Sequence, residues 1–181
     1  MGKLNLIIGP MYSGKSTELI RIYNKYKRNY KIITFNHKID NRYESNSVNT
    51  HNKESLSCIS VDNLYDYENL ISDVKNIDIV LIDESQFFED LYDFCIDIVE
   101  NYNKIVYVFG LSGDSNRQIF GEILNLIPIA DDIKFLKSIC SKCKIVKDAP
   151  FTMRITKNNQ QISVGSTNEY MAVCRSCWLS K

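Results

Sequence analysis

The chain has 181 residues, 44% of them hydrophobic, which suits one compact domain with room for a small appendage. Lysine plus arginine equals aspartate plus glutamate at 22 each, so the formal net charge is zero and lacks the basic excess of a nucleic-acid-binding domain. No apolar stretch approaches the roughly 20 residues that a membrane span needs.

Residues 4–8 read as a first strand. Gly9, Pro10, Met11, Tyr12, Ser13, Gly14, Lys15 and Ser16 follow at once and spell G-x-x-x-x-G-K-[ST]. Residues 17–30 then show apolar positions at helical spacing. Strand, loop and helix in that order let backbone N–H groups converge on phosphates. Lys15 is expected at the β- and γ-phosphates and the Ser16 hydroxyl on Mg²⁺, so the chain is expected to bind ATP or a close relative. A second strand is expected at 31–34. Residues 40–58 are polar, rich in Asn and Ser, and read as a long surface loop. A helix is expected at 64–74.

Residues 77–82 form a continuous apolar run, as in a strand buried on both faces. The run ends in Asp83-Glu84, the acidic half of a P-loop site. Asp83 is expected to hold Mg²⁺, directly or through water. Glu84 admits several readings. It activates water in an ATPase, takes a hydroxyl proton in a small-molecule kinase, or is a carboxylate satisfied by a helix dipole. A helix is expected at 87–101, with Leu91, Phe94, Cys95, Ile98 and Val99 on one face. A buried strand follows at 104–111, then a short helix at 119–127 stopped by Pro128. Alternation of this kind implies an α/β fold with a parallel sheet covered on both faces.

From about residue 138 the pattern changes to short strand-like pieces, 151–155 and 160–164. They lie between Cys140-Ser-Lys-Cys143 and Cys174-Arg-Ser-Cys177. Each C-x-x-C supplies two thiolates from one tight turn, and two such turns complete a tetrahedron. A closed set of four sulfurs points to structural Zn²⁺ rather than a catalytic metal. Cys58 and Cys95 stand apart. With no linker-like segment, the zinc region is expected to pack on the main domain. The chain is divided into a P-loop nucleotide-binding unit at 1–137 and a zinc-binding unit at 138–181. Met1-Gly2-Lys3 runs straight into the first strand, leaving no room for a signal peptide, and Leu6 stands where a myristoylation signal has Ser or Thr. The expectation is a cytoplasmic protein with no nucleic-acid and no membrane partner.

Several short motifs stand together: G-P-M-Y-S-G-K-S-T, D-N-R-Y at 40–43, T-H at 50–51, D-E-S-Q-F-F at 83–88, I-L-N-L-I-P at 123–128, and E-Y-M-A-V-C-R-S-C near the C-terminus. In this combination the chain resembles the cytosolic-type (type II) thymidine kinases, over residues 3–178. The resemblance implies a P-loop NTPase-like parallel sheet flanked by helices, with a small zinc-ribbon subdomain carrying a substrate lasso. It implies ATP-dependent, Mg²⁺-requiring phosphorylation of the 5′-hydroxyl of thymidine, and of deoxyuridine. It also implies a homotetramer and feedback inhibition by thymidine triphosphate. Residues 9–16 then hold the triphosphate, and Asp40, Asn41 and Arg42 approach its phosphates. Asp83, Glu84, Ser85 and Gln86 line the phosphate and metal site, with Glu84 as general base. Met11, Leu111, Thr152 and Tyr170 enclose the thymine, although taken alone they read as spacer, core and strand residues. Gln161, Ile162, Ser163, Val164 and Gly165 correspond to the lasso that reads the base through its backbone.

One segment departs from the family pattern. Residues 111–121 read L-S-G-D-S-N-R-Q-I-F-G where the family usually has L-D-G-T-F-Q-R-x-P-F-G, or the same with Asp for Thr. Ser112 replaces the Asp, Ser115 an aromatic that packs on the nucleoside, and Ile119 the Pro; Ser166 departs from a Gly in the lasso. Losing the ring removes on the order of 1–3 kcal/mol of burial. A looser pocket is expected, or one refilled by Ile119 or Phe120. The alternative functions are a P-loop ATPase or nucleotide-binding regulator with an altered nucleoside pocket, and a zinc-ribbon nucleic-acid module that the neutral charge disfavours.

Overall fold

The computed structural model describes residues 1–40, 47–49, 55–67, 70–156 and 169–180. Strand β1 (Lys3–Gly9) leads into helix α1 (Lys15–Tyr26) and strand β2 (Ile32–His37). A hairpin of β3 (Ser47–Asn49) and β4 (Ser55–Ser57) follows, then β5 (Ile59–Val61), a 3-10 turn (Leu64–Asp66) and α2 (Leu70–Asn76). Next come β6 (Ile79–Ile82), a 3-10 turn (Ser85–Phe87), α3 (Leu91–Ile96) widening into π geometry at Asp97–Asn101, and β7 (Ile105–Leu111). A 3-10 stretch (Ile123–Ile129) leads to β8 (Asp132–Phe135). The C-terminal part holds β9 (Ser138–Ile139), β10 (Asp148–Ala149), β11 (Phe151–Arg154), β12 (Tyr170–Val173) and α4 (Arg175–Leu179).

Six strands form one sheet in the order β5-β2-β6-β7-β1-β8, parallel throughout. Side chains alternate between its faces. Leu4, Leu6, Ile8, Val80, Ile82, Val106 and Val108 pack with Leu91, Phe94, Ile98 and Ile123 on one side. Ile7, Ile79, Leu81 and Phe109 pack with Leu19, Ile20 and Ile22 of α1 on the other, where Val48 and Leu56 of the hairpin join them. A third cluster is built from Cys140, Ala149, Met153, Ala172, Val173 and Cys174, and Tyr12 of the P-loop packs against it. The four-cysteine region therefore packs on the main body.

Several elements differ from the sequence reading. Part of the loop expected at 40–58 is the β3–β4 hairpin, whose three-residue strands are too short to display an alternating pattern. The helix expected at 64–74 divides into a 3-10 turn and α2. The helix expected at 87–101 starts at Leu91, yet its inward face is the one the spacing gives. The 119–127 helix is instead a 3-10 stretch that begins at Ile123 and contains Pro128. A 3-10 turn makes fewer and shorter-range bonds than an α-helix, so it has less to lose to a missing N–H. Strand β8 is a further element, too short and too exposed to show a pattern in the sequence. The strand expected at 160–164 lies outside the described residues.

Candidate active site and cysteine cluster

A parallel sheet delivers the C-terminal ends of its strands to one edge, where ligands of open α/β folds bind. Here that edge gathers Gly9 at the end of β1, Asp40 after β2, Asp83 after β6 and Leu111 at the end of β7. The register places Gly9 opposite Leu111 and Ile8 opposite Gly110.

The loop between β1 and α1 is held from within. The Lys15 ammonium is largely buried and donates to the carbonyls of Pro10 at 2.8 Å and Gly9 at 3.3 Å. The Ser13 hydroxyl donates to the Pro10 carbonyl at 2.8 Å. The loop is also fastened to the zinc region, because the Met11 N–H donates to the Thr152 hydroxyl at 3.0 Å. Two residues assigned to the thymine pocket by resemblance, far apart in the chain, are thus in direct contact.

Asp83 is buried beside Lys15, Asp40 and Glu84. Burial, then the neighbouring Glu84 carboxylate, push its carboxyl up to about 7. A buried carboxylate held among other acids is a group that a divalent cation would satisfy, so Asp83 and its surroundings fit Mg²⁺.

The turn after Asp83 is unusual. Glu84 has φ 46°, in the left-handed region that non-glycine residues seldom enter. Gln86 Nε2 donates to Glu84 Oε2 at 2.6 Å, and Gln86 Oε1 accepts the Leu111 N–H at 3.0 Å. The amide of Gln86 therefore orients the Glu84 carboxylate relative to the end of β7. Two glycines allow the turn to sit so close. A Cβ on Gly110 would lie 2.4 Å from Ser85 Oγ, and one on Gly121 would lie 2.1 Å from the Gln86 carbonyl oxygen.

The segment that departs from the family pattern is well ordered by its own contacts. Ser112 N–H donates to the Gly9 carbonyl at 3.3 Å. Asp114 Oδ1 accepts from the N–H groups of Asn116 and Gln118, both at 2.8 Å. Ser115 is only 9% exposed, and its carbonyl accepts the Trp178 indole N–H at 3.4 Å. Ile119 is 68% exposed. Phe120 is buried and meets the ring of Phe87 edge-on at 5.4 Å.

In the β11–β12 ribbon Arg154 pairs with Tyr170, and Thr152 lies two residues along on the same face. The Arg154 guanidinium stacks on the Tyr170 ring and donates to its hydroxyl through Nε and through the terminal nitrogen. Arg154 was not singled out from sequence, although its i+2 spacing from Thr152 on a strand places it beside the same site. Asn41, Arg42, Gln161, Ile162, Ser163, Val164 and Gly165 lie outside the described residues.

Cys140, Cys143, Cys174 and Cys177 bring their sulfurs within 4.8 Å of one another. Cys143 Sγ lies 3.7 Å from that of Cys174 and 3.6 Å from that of Cys177. A tetrahedron with Zn–S bonds of about 2.3 Å has sulfurs about 3.8 Å apart, so the set fits Zn²⁺. The Ser176 hydroxyl and the Cys177 N–H draw the Cys174 thiol down to about 5. Its neighbouring thiols, Cys177 first, push Cys143 up to about 12. Four cysteine sulfurs converging in this way suit a cation, which would take them as thiolates.

The family model for thymidine kinase matches residues 2–178. A thymidine kinase of sheeppox virus (strain KS-1) is 41% identical over 178 residues, 98% of this chain and 97% of that one. A thymidine kinase of Amsacta moorei entomopoxvirus is 44% identical over 183 residues, covering 97% of each chain. A thymidine kinase of vaccinia virus (strain Western Reserve) is 37% identical over 179 residues, 98% of this chain and 97% of that one. With its P-loop, its Asp83-Glu84 turn and its four-cysteine cluster in the family's order along the whole chain, the protein belongs to the thymidine kinase family.

Proposed function

We propose that this kinase transfers the γ-phosphoryl group of ATP to the 5′-hydroxyl of thymidine, and of deoxyuridine, with Glu84 as the base that takes the hydroxyl proton. The observation that carries this assignment is the Glu84–Gln86–Leu111 chain of hydrogen bonds, which fixes a carboxylate at the strand edge next to the P-loop. Residues 9–16 cradle the triphosphate, and Lys15 turns from the Pro10 and Gly9 carbonyls to the phosphates. Ser16 and Asp83 hold Mg²⁺, which supplies charge neutralisation between the β- and γ-phosphates. Asp40, Asn41 and Arg42 approach the phosphates from the end of β2.

The nucleoside lies between the P-loop and the β11–β12 ribbon, bounded by Met11, Leu111, the 112–118 loop with Ser115, Thr152 and Tyr170. The Met11–Thr152 contact supports this position. Gln161, Ile162, Ser163, Val164 and Gly165 form the lasso over the base, and Zn²⁺ on the four cysteines secures both of its ends. The functional boundary falls between 1–137 and 138–181. Free thiols at Cys58 and Cys95 suit a reducing, cytoplasmic setting. No helix among the described residues is long and apolar enough to cross a membrane. Thymidine triphosphate inhibits by occupying the nucleoside site with its phosphates in the P-loop, and the enzyme works as a homotetramer.

Incubation with ATP, Mg²⁺ and a panel of nucleosides tests the reading. Release of ADP that depends on thymidine supports it. Release independent of any nucleoside identifies an ATPase and overturns it.

A further inference from the structure

The zinc region touches the main body at a second place, independent of the Met11–Thr152 bond. Arg117 has φ 62°, in the left-handed region. Its guanidinium carbon lies 3.6 Å from the centroid of the Trp178 ring and 5.3 Å from that of Phe151. Arg175 covers Phe151 at 4.9 Å. The result is a ladder of alternating cations and rings, Trp178, Arg117, Phe151 and Arg175. Trp178 follows Cys177 of the cysteine cluster directly on α4, and Phe151 precedes Thr152 on β11. The Trp178 indole N–H also reaches the Ser115 carbonyl.

Both ends of the departing segment rest on the catalytic turn. Leu111 N–H meets Gln86, Ser112 N–H meets the P-loop at Gly9, Phe120 meets Phe87, and Gly121 presses on the Gln86 carbonyl. Its middle rests on Trp178. The loop is therefore suspended between the phosphate site and the cysteine cluster. Its internal bonds run through Asp114 and fix its shape. Its placement against the C-terminal part comes from Arg117 and the Ser115 carbonyl.

We propose that Arg117 is a positioning residue for the nucleoside. Stacked on Trp178, it holds the 112–118 loop at the distance from the β11–β12 ribbon that thymidine requires, and so makes that distance depend on the order of the cysteine cluster. The proposal rests on the thymidine kinase reading above. It gives the segment a means of shaping the pocket after Ser115 has replaced an aromatic side chain: the rings come from Trp178 and Phe151, with arginine as the connector.

The test uses the whole protein and two variants, Arg117→Ala and Arg117→Met; the latter keeps an unbranched chain over the indole without the charge. Steady-state kinetics are measured against thymidine and against ATP, with zinc content and tryptophan emission alongside. Trp178 is the single tryptophan of the chain, so its emission reports the stack directly. In both variants the thymidine KM is expected to rise roughly three- to tenfold, in keeping with loss of a partly exposed cation–ring contact. The ATP KM stays within about twofold, zinc stays at one per chain as in the unaltered protein, and the Trp178 emission maximum moves to longer wavelength. An unchanged thymidine KM, an equal rise in both KM values, or loss of zinc from the variants overturns the proposal. If Arg117→Ala does not fold, Arg117→Met decides it by the same criteria. If the unaltered protein does not phosphorylate thymidine at all, the kinase reading itself has failed, which is a different result from active enzyme that is indifferent to Arg117.

Discussion

Glu84 is held in a backbone conformation that costs on the order of 1 kcal/mol or more, and it stays there because its surroundings leave no alternative. Gln86 grips its carboxylate, and Gly110 and Gly121 wall the turn. Glu84→Gln keeps the shape and the hydrogen-bonding capacity but not the basicity. It should lower kcat by about 10² to 10⁴ while the binding of ATP and thymidine, followed by calorimetry, stays close to normal. Near-normal turnover would remove Glu84 from the role of base. At Ser115 the structure changes the expectation drawn from sequence. The missing aromatic suggests a gap that a ring would fill, yet the serine is 9% exposed and its carbonyl meets Trp178. Ser115→Phe is therefore expected to strain the loop, lowering stability by about 1–3 kcal/mol in a thermal or urea melt and raising the thymidine KM. A tighter thymidine KM with unchanged stability would show that room exists.

The elements at the C-terminus depend on the cysteine cluster for their position. Replacing Cys143 by Ser should remove zinc, as read by elemental analysis, and raise the thymidine KM more than the ATP KM, because the cluster supports β11, β12 and α4 rather than the P-loop. A zinc-free variant with wild-type kinetics would refute this. Beside the P-loop, Glu18 on α1 accepts from Arg21 at 2.6 Å and from Lys134 of the edge strand β8 at 2.8 Å. Arg21 first, and Lys134 after it, hold the Glu18 carboxyl down at about 2. A depressed acid binds fewer protons folded than unfolded, so its contribution is present above about 4.5 and disappears as the pH falls towards 2. The partners are half exposed, which keeps the effect of Glu18→Gln to about 0.5–1 kcal/mol at neutral pH. The difference in melting temperature between variant and parent should close as the pH is lowered through that range.

Much of this molecule is legible in its sequence because its strongest signals are local. The P-loop, the acid pair after an apolar strand and the paired C-x-x-C turns are each read from a handful of neighbouring residues, and the helical face of Leu91, Phe94, Cys95 and Ile98 from simple spacing. The short strands β3 and β4 carry too few residues for alternation to be visible, and Asp132–Phe135 offers only Ile133 and Phe135 as apolar marks. Contacts such as Met11 with Thr152 or Arg117 with Trp178 join residues widely separated in the chain, and no periodicity encodes them. Strand β8 also bears on assembly. It is the edge of the six-stranded sheet, exposed along its whole length, with Ile133 and Phe135 among the exposed apolar side chains. An open apolar edge favours association with another chain. Light scattering should give the mass of the proposed tetramer, and Phe135→Lys should shift the distribution to smaller species; an unchanged mass would rule β8 out as the contact of that proposed assembly.

Gly110 and Gly121 have no side chain to offer a substrate, but a methyl group at either would press on the turn that carries Glu84. This has a genetic consequence. Some thymidine analogues poison a cell only once they have been phosphorylated, so cells that rely on this enzyme survive them by losing it. Survivors should then carry missense changes at codons 110 and 121 as well as at the codons for the P-loop and Glu84. A map of escape mutations would trace the outline of the Glu84 turn through two glycines that have no side chain.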